Sequence, residues 1–171
     1  MRFLIGMIVA AAGFFPCPAA SDTLCGDSIV VRADRPRYTG DFDGDGKVDT
    51  LLPVSIKAGA KLDNACVVEN PWGGKPAIRN SGEPLAFAIV HGGKNAITIL
   101  LDADFLSTPI WTSGPFPLSV IKKGSREHAG WKRKVRALES DVVILLTEAG
   151  IDILLHWNGK KYTLFWPKEQ P

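Results

Sequence analysis

The chain has 171 residues, 46% of them hydrophobic, and its 20 basic and 18 acidic residues leave a formal net charge of +2. So small an imbalance excludes a partner recruited by an overall field of one sign. Length and composition suit one domain with its own core.

The chain begins Met1-Arg2, continues as an apolar run over residues 3–15, and reaches small residues at Ala19 and Ala20. A positive start, a short apolar core and a small-residue exit describe a secretory signal peptide, so residues 1–20 are expected to be removed and residues 21–171 to form a single β domain. The apolar run is too short to span a membrane. Cys17 follows Phe14-Phe15-Pro16, which lacks the small residue of a lipid-attachment site. A periplasmic or secreted protein without a membrane span after cleavage is therefore expected, with a retained N-terminal anchor as the alternative. Cys25 and Cys66 are the cysteines beyond the cleavage point. In an oxidising compartment they are expected to pair, which is worth about 4 kcal/mol of chain entropy.

Residues Ser28-Ile29-Val30-Val31-Arg32 read as a first strand, ended by Arg35-Pro36-Arg37. The stretch Asp41-Phe42-Asp43-Gly44-Asp45-Gly46-Lys47-Val48-Asp49 then sets carboxylates at positions 1, 3, 5 and 9 of one loop. Alternating side chains on a backbone that turns sharply converge on one point, and Gly44 and Gly46 supply the turns. A hard divalent cation with oxygen ligands resolves the repulsion among such carboxylates, and outside the cytosol Ca2+ is the usual one. An EF-hand is excluded, because position 12 is Leu52 and a strand rather than a helix follows. The run Gly40 to Asp49 resembles the calcium loop of FG-GAP (integrin-type) and VCBS-like β-propeller repeats, in a single copy. That resemblance implies Ca2+ coordination by the side chains of Asp41, Asp43, Asp45 and Asp49 and by the carbonyl of Lys47.

Residues 50–57 are β-rich, with Pro53 breaking the strand, and Cys66-Val67-Val68 is a short apolar piece. Residues 70–84 are rich in glycine and proline and read as a loop carrying Trp72. A hairpin follows, turning at Gly93-Lys94. It pairs Val90 with Ile97, Ala88 with Ile99, Ile89 with Thr98 and Phe87 with Leu100. Both of its faces are apolar, which predicts central strands covered on each side. Residues 102–121 read as an irregular, exposed excursion around Trp111. The basic residues 122–136, with Trp131 among them, could hold a short helix. Val142 to Leu146 and residues 151–157 are strands, and Asn158-Gly159 reads as a type I′ turn into residues 161–166. That turn would pair Leu155 with Tyr162, Ile153 with Leu164, His156 with Lys161 and Asp152 with Phe165. The closing Trp157-Asn158-Gly159-Lys160-Lys161-Tyr162 also looks like the last hairpin of small exported bacterial proteins with one such calcium loop. The fold class is all-β, nine to eleven strands in antiparallel meanders. A small or incomplete β-propeller-like stack is the first choice and a β-sandwich the second.

No catalytic constellation assembles. Gly26-Asp27-Ser28-Ile29 resembles the nucleophile block of GDS-type lipases and esterases. The late Asp152 and His156, however, sit four residues apart on one strand, too far to form a relay. His91, His128 and His156 lie in different segments without metal-type spacing and read as hairpin-end or surface residues. Asp102 and Asp104 read as a solvated turn. Trp157 and Trp166 are accounted for by hairpin packing. Trp72, Trp111 and Trp131 are therefore the candidate partner-binding aromatics, beside the basic residues 122–136. Export argues against nucleic acid and for an acidic protein or a cell-envelope polymer. The expected function is that of a calcium-binding, non-enzymatic binding module. The alternative is a periplasmic inhibitor or immunity protein against a cell-wall-directed enzyme, with residues 106–118 as its plug.

Overall fold

The computed structural model describes residues 23–62, 64–74, 84–102, 104–113, 116–136 and 138–167. The expected signal segment lies outside the described residues. The protein is all-β, built from two largely antiparallel sheets. Strands β1 (Thr23–Leu24), β2 (Ile29–Val31), β3 (Tyr38–Gly40), β4 (Asp49–Ile56), β5 (Cys66–Glu69), β6 (Leu85–Val90) and β7 (Ile97–Leu100) make the first. Their order is β1-β2-β4-β6-β7-β5, with β3 continuing the edge of β4 beyond β2. Strands β8 (Leu118–Ile121), β9 (Val142–Leu146), β10 (Asp152–Trp157) and β11 (Tyr162–Phe165) form the second as a plain meander.

The two sheets share one core. Leu51, Phe87, Ile89 and Leu100 from the first sheet, with Phe42 from the loop between β3 and β4, meet Val143, Leu145, Ile153, Leu155 and Tyr162 from the second. This is the face-to-face packing of the sandwich alternative, and no propeller blades around an axis form among the described residues. β6 shows why the sheets stack so. Phe87 and Ile89 enter the shared core, while Ala86 and Ala88 join Leu52, Val54 and Ile99 in a second cluster on the opposite face. The expectation of a central strand covered on both sides holds, and the predicted register of the β6–β7 hairpin is the observed one. A third cluster, Ile121, Val135, Leu138, Val142, Ile144 and Leu154, lies on the outer face of the second sheet. Helix α2 (Arg126–Lys132) falls in the expected basic stretch, and its Trp131 packs against that cluster.

Several expectations change. β4 runs through Pro53 without a break, since β2 pairs only with residues 54–56 and β3 only with residues 49–51. Pro53 thus sits opposite the gap between β2 and β3, where a missing N–H costs no ladder bond. β5 pairs parallel with β7, the one parallel ladder among the described residues, where antiparallel pairing throughout was expected. The closing hairpin is displaced by two residues, pairing Leu155 with Leu164 and Trp157 with Tyr162. A two-residue displacement keeps every side chain on its face. Its cause lies in the turn. Gly159 takes φ 91° but Asn158 does not take a positive φ, so no type I′ turn forms. The Asn158 side chain instead accepts hydrogen bonds from the N–H groups of Lys160 and Lys161, both at 3.0 Å. Residues 102–121 are largely ordered as a 3₁₀ turn (Phe105–Ser107), helix α1 (Pro109–Thr112) and β8, and they bury rather than expose their apolar side chains.

Candidate metal centre

The acidic loop connects β3 to β4, with Gly40 and Asp49 paired across its base. Gly44 and Gly46 take φ of 76° and 85°, the left-handed conformation that lets the chain fold back on itself. Each turn is closed by an aspartate. Asp43 Oδ1 accepts from the N–H of Asp45 at 3.1 Å, Asp45 Oδ1 from Lys47 at 2.9 Å, and Asp41 Oδ2 from Gly46 at 3.0 Å. These bonds draw the carboxylates inward. One oxygen from each of Asp41, Asp43 and Asp45 lies within 4.8 Å of the others, so this cluster could hold a metal ion. Oxygens that ligate one Ca2+ at 2.3–2.6 Å are separated by at most about 5 Å, and the cluster fits that sphere. Asp41 Oδ1 is buried there without a hydrogen-bond partner.

Asp49, which the resemblance makes a ligand, is the most deeply buried carboxylate of the loop. It is fully buried, with Oδ2 accepting from the N–H of Phe42 at 2.8 Å and of Asp43 at 3.3 Å. Its Oδ1 accepts from Gly92 at 2.8 Å. Burial raises its pKa against the pull of these amides, and the charge of Asp43 adds to the rise. Asp49 groups with Asp43 and His91 in a second cluster that could hold a metal ion, and Asp43 belongs to both clusters. For Lys47, the carbonyl expected to ligate lies in the exposed part of the loop.

A second carboxylate ties the loop to the other sheet. Asp141 Oδ2 accepts from the Asp41 N–H at 3.0 Å and from Lys122 Nζ at 2.9 Å, and Oδ1 accepts from Lys123 at 2.7 Å. In return the Asp141 N–H donates to the Asp41 carbonyl at 2.8 Å. Burial opposes ionisation of Asp141, yet these donors hold its pKa below the ordinary carboxylate value. The loop is therefore clamped between the sheets, by Asp49 and Gly92 on one side and Asp141 on the other.

Gly92 is fitted to this clamp. A Cβ there would lie 2.2 Å from the Val48 carbonyl oxygen and 2.9 Å from its carbon, both backbone atoms. Gly92→Ala is expected to destabilise the protein by about 1–3 kcal/mol in urea unfolding, as overpacking of a rigid contact does. Gly130→Ala in α2, where the nearest atom is an arginine tip at 4.0 Å, is expected to stabilise slightly. Equal midpoints for the two variants would contradict the clamp.

Beside Gly92 and Asp141, two more residues of the centre were not anticipated. His91 is 7% exposed, with Nε2 3.0 Å from Thr98 Oγ1 and Nδ1 3.2 Å from Asp43 Oδ2. Its ring stacks on Tyr162, whose buried hydroxyl is kept from ionising by burial and then by the surrounding carboxylates. Lys94 Nζ lies 2.6 Å from Asp43 Oδ2 and 2.9 Å from Asp45 Oδ2. Hydrogen bonding to Lys94, more than any other influence, lowers the pKa of Asp45. The signal that would have found His91 is the β4–β6 register. Thr50 opposes Val90, which sets Asp49 and His91 side by side at the ends of their strands.

The other candidate residues are placed as follows. Cys25 and Cys66 form a disulfide, as expected. Trp111 is 1% exposed and packed among Phe87, Phe105 and Phe116, so it presents no surface to a partner. Leu106 and Leu118 are buried with it, so the described part of residues 106–118 turns its large apolar side chains inward. Trp72 is half-buried against Phe105, and Trp131 is half-buried against Phe165 with Lys134 over its ring. Trp166, assigned to hairpin packing, is instead 48% exposed just beyond β11. None of the three histidines is a surface residue: His128 Nε2 donates to the Ser140 carbonyl at 3.1 Å, and His156 meets Thr163. Ser28 is buried, its hydroxyl donating to the Lys61 carbonyl at 2.7 Å. Asp102 accepts from the N–H groups of Asp104 and Phe105, which is the expected turn. No helix among the described residues is long and apolar enough to cross a membrane. Comparison of the chain with protein-family models, with curated proteins and with solved structures finds no match.

Proposed function

We propose that the loop of residues 41–49 binds Ca2+ and that the protein is an exported, non-enzymatic binding module of the periplasm or cell exterior. The observation that carries the metal reading is the buried, unpartnered Asp41 Oδ1 beside the carboxylates of Asp43 and Asp45. An acceptor left so is costly unless a cation completes it. Asp41, Asp43 and Asp45 would supply oxygen ligands, the Lys47 carbonyl another, and Asp49 would hold the loop in shape from behind. The metal has a structural task here: it ties the β3–β4 connection where the two sheets meet. The proposed partner face is α2 and its flanks, which carry exposed Lys123, Arg126, Arg133 and Arg136 and the half-buried Trp131 with Lys134 over its ring. That chemistry suits an acidic protein or an anionic envelope polymer.

Thermal unfolding of metal-stripped protein tests the metal reading. At free Ca2+ ten times the dissociation constant, linkage supplies about 1.4 kcal/mol. For a domain of this size the melting temperature should rise by about 3–6 °C. Asp43→Ala should abolish the rise, whereas Asp102→Ala should leave it intact. Identical melting in Ca2+ and in chelator would end the calcium reading.

A further inference from the structure

We infer that Lys94 is a tethered counter-ion that an incoming metal must displace, so that the β6–β7 turn sets the cation affinity of the acidic loop. The inference rests on the calcium reading above and concerns its regulation. Lys94 follows Gly93 in the turn and reaches across to the β3–β4 loop, bridging Asp43 and Asp45 at 2.6 and 2.9 Å. Two of the three clustered carboxylates therefore already face a cation. A divalent ion needs the same oxygens at 2.3–2.6 Å, and two cations cannot share them at that distance without strong repulsion.

The ammonium is an incomplete occupant. Asp41 Oδ1 stays buried and unpartnered, and His91, 7% exposed, keeps Nδ1 without a hydrogen bond although Asp43 Oδ2 is 3.2 Å away. Both atoms are buried, and the contacts of Lys94 are with Asp43 and Asp45 instead. Mobility is also divided unequally. The Lys94 side chain is 45% exposed and can swing into solvent, whereas that of Asp43 is 6% exposed and is held by its neighbours. Metal entry is thus an exchange. The ammonium leaves the outer oxygens, the metal takes them together with Asp41, and Lys94 becomes solvated. In the metal-free protein Lys94 keeps the carboxylates from forcing the loop apart.

Calorimetric titration of Ca2+ into metal-stripped wild type, Lys94→Met and Lys94→Arg tests this. A partly exposed ion pair is worth up to about fivefold in an equilibrium constant, so two contacts predict that Lys94→Met binds about three- to thirtyfold tighter than wild type. Lys94→Arg, which keeps the charge and adds a two-pronged donor, should bind no tighter than wild type. In wild type, NMR of the lysine ε-ammonium groups should show the Lys94 signal protected in metal-free protein and lost to water exchange on saturation with Ca2+. Equal or weaker binding by Lys94→Met, or a Lys94 signal unmoved at saturation, overturns the exchange while leaving the calcium site standing. No Ca2+ binding by any of the three proteins removes both.

Discussion

Trp111→Ala is expected to cost about 3–5 kcal/mol of stability, the range for truncating a large aromatic in a packed core. The indole is 1% exposed and meets three rings, those of Phe87, Phe105 and Phe116, with centroids 5.4–5.7 Å away. Two of those rings come from the same excursion and one from the central strand β6, so a cavity at Trp111 cannot close by moving one element. The loss is one of packing, because the indole N–H has no hydrogen-bond partner to lose. For a domain of this size the melting temperature should fall by about 6–20 °C. Trp166→Ala, at a ring 48% exposed, should change stability by less than about 0.5 kcal/mol. Chemical denaturation of the two variants checks both statements. A Trp111→Ala protein as stable as wild type would return that residue to the surface.

The contrast between these tryptophans shows where the sequence stopped being legible. Proline and glycine around Trp111 announced irregular backbone, and irregular backbone is usually exposed. Here Pro109 starts a one-turn helix, and its apolar side chains pack into the shared core. Local composition carries no information about what covers a face. The β6–β7 hairpin was legible to the residue, since apolar side chains on both faces and a glycine turn fix one register. The closing hairpin kept its faces but not its pairs, because Asn158 acts through its side chain rather than through a left-handed backbone. In the acidic cluster, Asp41, Asp43 and Asp45 could be read from spacing. His91, Lys94, Gly92 and Asp141 could not, for they arrive through β4–β6 pairing and through the approach of the second sheet, at separations no local pattern encodes.

Removal of the Cys25–Cys66 disulfide is the other large effect to expect, and its consequences should be uneven across the fold. The cysteines are 41 residues apart, for which chain entropy gives about 4 kcal/mol. That corresponds to a fall in melting temperature of about 8–16 °C. Cys25 lies in the turn between β1 and β2, and Cys66 opens β5, so the bond joins the two ends of the first sheet's strand order. Its Cα atoms are 5.9 Å apart, which means that the sheet curls until its ends meet. Cys25, Gly26 and Asp27 all have positive φ, at 56°, 66° and 64°. For Cys25 and Asp27 that conformation costs on the order of 1 kcal/mol each and persists only where the surroundings enforce it. Without the bond the turn can relax, and β1 and β2 should be the first elements to loosen. Hydrogen exchange of a Cys25→Ala/Cys66→Ala protein should therefore speed up in β1, β2 and β5, while β9 and β10 of the second sheet keep their protection. The acidic loop should keep its response to Ca2+, because Asp49, Gly92 and Asp141 hold it independently of the bond. Uniform loss of protection across both sheets would show instead that the disulfide supports the whole core, and a melting shift below about 3 °C would mean that strand pairing alone closes the curl.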